Sequence, residues 1–273
     1  VTTVVIDKAA ERKAFSEAPG LRRDEQHRYY YGQRGPMPGV TNIIKALDRS
    51  GPLTGWAKRE TAACAVRNLD VLRTLVETGG KEAAQSWLAG IPDYQRDNAA
   101  KLGSGVHAIA DAIARGERYD VPEGVNVGPY VTAYQRFIAY MRPRTIYTEA
   151  LICNLEHGYG GTLDWGLEFP GENVPTLLDI KTGGAYAETS LQLVGYERGE
   201  FTATADDPTQ HPLPKFEHFG VLQLSEDGTW TLIPYEVGEG DWEAFLACLT
   251  LTRWTKERAP YTKGVPYTEG VQP

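Results

Sequence analysis

The chain is poor in cysteine, in long apolar runs and in net positive charge. Cys64, Cys153 and Cys248 are the only cysteines among 273 residues. They are too few and too far apart for a disulfide framework or a closed four-thiolate metal site, so buried free thiols are expected. No apolar stretch approaches the roughly 20 residues of a membrane span, and the N-terminus lacks the basic and apolar succession of a secretory leader. The expectation is a soluble, cytoplasmic protein with no membrane partner. Lys and Arg number 28 against 36 Asp and Glu, a formal net charge of -8. That sign excludes a uniformly basic protein of the kind that grips phosphates over its whole surface, but net charge does not report distribution, and a local basic track remains open. Internal repeats and low-complexity segments are also missing.

With 41% hydrophobic and 23% charged residues, the chain can bury a substantial core. Its organising stretch is GGTLDWGLEFPGENVPTLLDIKTGGAYAETSLQLVGY, residues 160–196. Leu163, Trp165, Leu167 and Phe169 alternate with other residues, predicting a strand with one packed face and Asp164 on the other. After a PGEN turn, VPTLLDIK predicts a second strand that breaks at two glycines. Residues two apart on a strand share a face, so Asp179 and Lys181 point together toward whatever Asp164 faces. A helix over about 186–201 follows, with Gln192 and Tyr196 as i,i+4 neighbours. Two carboxylates on paired strands make a hard oxygen site for Mg²⁺ or Mn²⁺. Lys181 would orient or deprotonate the attacking water, or stabilise charge developing on a phosphate. A DxK triplet alone is also what a surface ion pair on an edge strand looks like; the ordered set of strand, strand and helix distinguishes the two.

That ordered set, GxxD from Gly161 to Asp164, DxK from Asp179 to Lys181 and QxxxY from Gln192 to Tyr196, resembles the RecB-like exonuclease branch of the PD-(D/E)XK nuclease superfamily, in particular its phage and mitochondrial exonucleases. The resemblance covers residues 100–200 well and part of the N-terminal region more weakly. Here the DxK acid is Asp, a permitted letter of the pattern, and no clear proline precedes Asp164. The resemblance implies an α/β fold with a restriction-endonuclease-like mixed central sheet flanked by helices and N-terminal helical additions. It implies a Mg²⁺- or Mn²⁺-dependent deoxyribonuclease acting on single- or double-stranded DNA ends, in phage-type recombination, replication or repair, with a single-strand annealing or recombination partner. If phage-encoded, it would work in the host cytoplasm. LGSGVH matches a G-x-x-x-H-type helix of the family, so the metal would be held by His107, Asp164, Asp179 and the Ile180 carbonyl. Without the resemblance, a lone helix histidine is structural or exposed. Glu149 matches an acidic residue on the preceding strand; an exposed strand glutamate is the plain alternative. Gln192 and Tyr196 would hold the site and contact the substrate strand, or form an ordinary packed polar pair. The iron-sulfur cluster of some relatives is excluded by the cysteine count. A structure-specific or restriction-like endonuclease would share every one of these residues, and a non-catalytic nucleic-acid-binding module would keep them only as a relic.

The rest of the chain divides into a hairpin and helical attachment over 1–92, the core over 93–260 and a loosely held tail over 261–273. Lys8 to Glu17 predicts an amphipathic helix, followed by Arg22 and Arg23, whose role is not readable. From His27 an aromatic hairpin precedes a helix opening near Thr41; Tyr29, Tyr31 and Arg34 either contact bases and phosphates or pack on the core. Leu53 to Gly90 is helical, with Lys58, Arg59, Arg67 and Arg73 on a DNA track or a solvated face. Asp93 to Arg118 predicts a long helix whose Gly103, Ser104 and Gly105 allow close approach to strands. Tyr130 to Tyr140 predicts a helix, Thr145 to Ile152 a strand, and Thr202 to Pro214 a loop. A hairpin around SEDGT and a closing amphipathic helix complete the chain.

Overall fold

The computed structural model describes residues 20–257 apart from 27, 49, 173, 205, 206 and 208; the expected Lys8–Glu17 helix and the tail over 261–273 lie outside them. Three short strands, β1 (Leu21–Arg23), β2 (Tyr29–Tyr31) and β3 (Arg34–Met37), form a small antiparallel sheet, followed by a one-turn helix α1 (Val40–Ile43). Helices α2 (Ser50–Arg67), α3 (Leu69–Ala89) and α4 (Ile91–Ala114) follow, then α5 (Gly128–Met141). Strands β4 (Arg144–Asn154), β5 (Tyr159–Glu168) and β6 (Pro175–Lys181) lead to α6 (Thr189–Glu197), the short β7 (Phe201–Ala203) and β8 (His211–Pro212), the hairpin β9 (His218–Leu224) and β10 (Trp230–Tyr235), and α7 (Glu239–Glu257). The expected loop at Thr202 to Pro214 thus carries two short strands.

The main sheet has seven strands in the order β10-β9-β6-β5-β4-β7-β8. It is mixed, because β6 and β9 pair in parallel while the other neighbours are antiparallel. The parallel partner places β6 centrally, which is why Thr176 to Ile180 are all buried and the segment is an apolar run rather than an alternating one. Helices cover both faces. On one, α1, α6 and α7 enclose Val40, Ile152, Leu163, Leu177, Val194 and Phe245. On the other, α4 and α5 close over Val106, Phe137, Trp165, Leu167, Leu178 and Ile180. A smaller cluster, Leu21, Tyr29, Met37, Leu151 and Cys153, fastens the three-stranded sheet to β4. All three cysteines are free and buried. Helices α2 and α3 contribute only Cys64 and Ala84 to the buried set. Among the described residues no helix is long and apolar enough to cross a membrane.

The single packed face expected for β5 is not what forms. Leu163 belongs to the core under α6 and α7, whereas Trp165 and Leu167 belong to the core under α4 and α5, and Phe169 packs with them. The strand therefore turns over at Asp164. Opposite it on β4, between the pairs Thr148↔Trp165 and Ala150↔Leu163, lies Glu149, held at φ 46°. A left-handed backbone at a non-glycine residue costs on the order of 1–3 kcal/mol and persists only where the surroundings over-determine it. Small residues permit the remaining close approaches. A Cβ at Gly161 would come within 2.8 Å of the Tyr196 ring, and one at Gly195 within 2.7 Å of Phe245. Gly105 gives its room to Pro122 and Val127 rather than to a strand, while Gly103 lies near Thr182 just past β6.

Candidate metal and catalytic site

The site forms where β5 and β6 part. Their ladder runs from Glu168↔Pro175 to Trp165↔Leu178; beyond its last pair, the Ile180 N–H donates to Asp164 Oδ2 at 2.9 Å. A carboxylate thus satisfies a backbone donor of the neighbouring strand, which fixes Asp164 at the mouth of the gap. Helix α4 lays His107 over the same gap. Its Nε2 is 2.8 Å from the Ile180 carbonyl, and with Nε2–H donating there, Nδ1 faces two carboxylates: Asp164 Oδ1 at 3.5 Å and Glu149 Oε1 at 3.8 Å. The left-handed turn at Glu149 brings β4 into this set.

Asp179 faces elsewhere. Its Oδ1 accepts from Gln192 Nε2 at 2.7 Å and its Oδ2 lies 2.8 Å from Lys181 Nζ. Gln192 also donates to the Tyr196 hydroxyl at 3.1 Å and accepts from Lys181 at 3.3 Å through Oε1. The i,i+4 pair of α6 is therefore buried, with Tyr196 closed over Gly161, and holds the Asp179 and Lys181 pair from beneath. Asp179 itself is 1% exposed, whereas the Lys181 side chain keeps 30% of its surface.

The charges are interdependent. Burial alone would lower the His107 pKa, but Asp164 and Glu149 outweigh it and hold the imidazolium well above its ordinary range. Burial would raise Asp164; His107, Lys181 and the Ile180 N–H together pull it below the usual carboxylate value. Burial and the neighbouring Asp164 push Asp179 up to about 6 against the pull of Lys181. Burial would likewise lower Lys181, yet Asp179 and Asp164 keep it above its ordinary value, so it is a cation at neutral pH.

Of the residues named from sequence, His107, Glu149 and Asp164 converge, with ligand atoms all within 4.8 Å of one another. The donor set, one imidazole nitrogen and two carboxylates, fits a divalent cation such as Mn²⁺ or Mg²⁺. Ile180 presents its carbonyl to His107 Nε2, a hydrogen bond of the kind that would orient the imidazole if it held a metal. Asp179 stands beside this set rather than in it.

Two neighbours escaped the sequence reading. Arg23 Nη1 donates to Thr162 Oγ1 at 2.9 Å, where the Tyr29 hydroxyl also arrives at 3.0 Å; Thr162 is two residues ahead of Asp164 on β5. Tyr29 is thereby packed, Tyr31 lies against Phe201 with ring centroids 6.0 Å apart, and only Arg34 is exposed. Asp111, one turn beyond His107 on α4, accepts from Thr148 at 3.0 Å and from Arg115 at 2.8 Å, tying α4 to the residue before Glu149. Burial pushes its carboxyl up to about 6. The H-x-x-x-D spacing was the available signal. No family model matches the chain, and no curated protein matches it.

Proposed function

We propose that this chain is a metal-dependent deoxyribonuclease with a restriction-endonuclease-like core, of the RecB-like PD-(D/E)XK type, that hydrolyses phosphodiester bonds from DNA ends. The observation that carries this reading is the convergence of His107, Glu149 and Asp164 beside a charged lysine held by Asp179 and Gln192. His107 through Nδ1, together with Glu149 and Asp164, would hold Mg²⁺ or Mn²⁺, which when bound supplies Lewis acidity to a phosphoryl oxygen. His107 must then shed its proton, since only neutral imidazole ligates.

Lys181 acts as a cation. Its raised pKa argues against proton abstraction and for positioning a water and stabilising charge on the phosphate. Asp179 and Gln192 restrain the ammonium so that little reorganisation accompanies the reaction, and Tyr196 restrains Gln192 in turn. Water adds to phosphorus as the ester oxygen leaves in line. Arg23 of β1, which donates to Thr162 two residues before Asp164 on β5, would anchor a neighbouring phosphate. The preference for ends, and a role in phage-type recombination or repair, come from the motif resemblance and not from the site.

The test is incubation with linear end-labelled DNA and with covalently closed circles, in Mg²⁺, Mn²⁺ or EDTA. Metal-dependent loss of linear DNA with circles spared is expected, and the two labelled ends report polarity. Cut circles would move the assignment to a structure-specific or restriction-like endonuclease. Binding without cleavage in any metal would leave a nucleic-acid-binding module.

A further inference from the structure

A second feature lies outside the catalytic gap. A groove of about 370 Å³ runs between β3 and the last turn of α7, beside Gly158 in the β4–β5 turn. Three cations line it, Arg34, Arg253 and Lys256, against one carboxylate, Glu257. In a chain of net charge -8 this is a local reversal of sign, and such reversals rather than net charge direct polyanions.

The three cations are held differently. Arg253 is fixed, its Nη2 donating to the carbonyls of His157 and of Gly158, the latter at 3.3 Å. Gly158 sits at φ +60°, and a Cβ there would approach that same nitrogen to 3.2 Å, so the turn needs glycine both for its backbone and for the guanidinium. Arg34 and Lys256 form no ion pair or side-chain hydrogen bond among the described residues. Holding unpaired cations together costs electrostatic energy unless an anion neutralises them.

The groove is also tied by its backbone to the strand that carries Asp164. Its wall residue Pro38 accepts from Gly160 N–H at 3.0 Å, and Gly39 bridges to Gly160. Gly160 precedes Asp164 by four residues on β5, about 13 Å of extended strand, and Arg23 sits between them at Thr162. From Asp164 outward the cations run Arg23, then Arg34 with Arg253 and Lys256.

We propose that this groove binds the phosphodiester backbone of the DNA strand engaged at the site. The inference rests on DNA being the substrate, and it is tested without turnover. Wild type and the double variant Arg34→Gln, Lys256→Gln would be titrated with a labelled single-stranded oligonucleotide in EDTA over a range of salt concentrations. The variant should bind about tenfold more weakly at low salt, with a salt slope shallower by about 1.4, two contacts at roughly 0.7 each. Cleavage of thymidine 5′-p-nitrophenyl phosphate, too small to reach the groove, should be unchanged. Wild-type affinity and slope in the variant, or a wild type that binds no oligonucleotide in EDTA, would overturn the groove. Loss of the small-substrate reaction would also overturn it, by placing Arg34 or Lys256 at the reacting centre. Weakened binding in the variant together with a wild type that cleaves nothing would sink the nuclease reading alone.

Discussion

Lys181 and His107 are both half-buried cations whose charge is maintained by carboxylates, and the proposed mechanism makes opposite demands on them. In the proposed mechanism Lys181 must keep its proton. Replacing it with Ala should lower cleavage by about 10²- to 10³-fold, the usual cost of removing one preorganised charge at a developing oxyanion, while oligonucleotide affinity in EDTA changes by less than about twofold. Retained turnover would remove the lysine from the mechanism. His107 must lose its proton to bind a cation. For His107→Ala we expect Mn²⁺ affinity, measured calorimetrically, to fall at least about tenfold; a lowered melting temperature with unchanged Mn²⁺ affinity would return the histidine to a purely structural role.

At the scale of elements, the site depends on how closely α6 approaches β5. Gly161→Ala would drive a methyl group into the Tyr196 ring at 2.8 Å. We expect a loss of about 1–3 kcal/mol, typical of overpacking, and a cleavage defect, because Tyr196 positions Gln192 and through it Lys181. A fully stable, fully active variant would show that α6 shifts freely. The helices, the two strands carrying Asp164 and Asp179, and the i,i+4 pair Gln192 and Tyr196 were all legible from local periodicity. The reversal of faces within β5 was not. It accompanies the positive φ of Glu149, and a left-handed glutamate inside a strand has no sequence signature, because the conformation is imposed by what packs around it.

For the whole molecule, the site sets a pH dependence of stability. The His107 imidazolium, raised above 6.5, stabilises the fold fully below that value and progressively less as pH rises through its folded pKa. Asp179, raised to about 6, adds a cost that is absent below 3.8 and complete above about 6. Asp164, lowered, opposes them only as pH falls below 3.8. The metal-free protein should therefore melt at a higher temperature near about pH 6 than near about pH 8. Saturating Mn²⁺ should flatten or invert this difference, because the ligands must be deprotonated to bind; a metal-free protein more stable at the higher pH would contradict the charge assignment. Sequence by itself determined what is local: an α/β chain, strands and helices near their observed bounds, and the acidic, basic and imidazole residues of the candidate site. Tertiary structure alone decided the grouping. It set Glu149 with His107 and Asp164, turned Asp179 toward Gln192, gave the Ile180 carbonyl to His107, and brought Arg23 to Thr162. These are contacts between elements distant in the chain, settled by where strands separate and which helix covers the gap, and no spacing along one strand or helix encodes them.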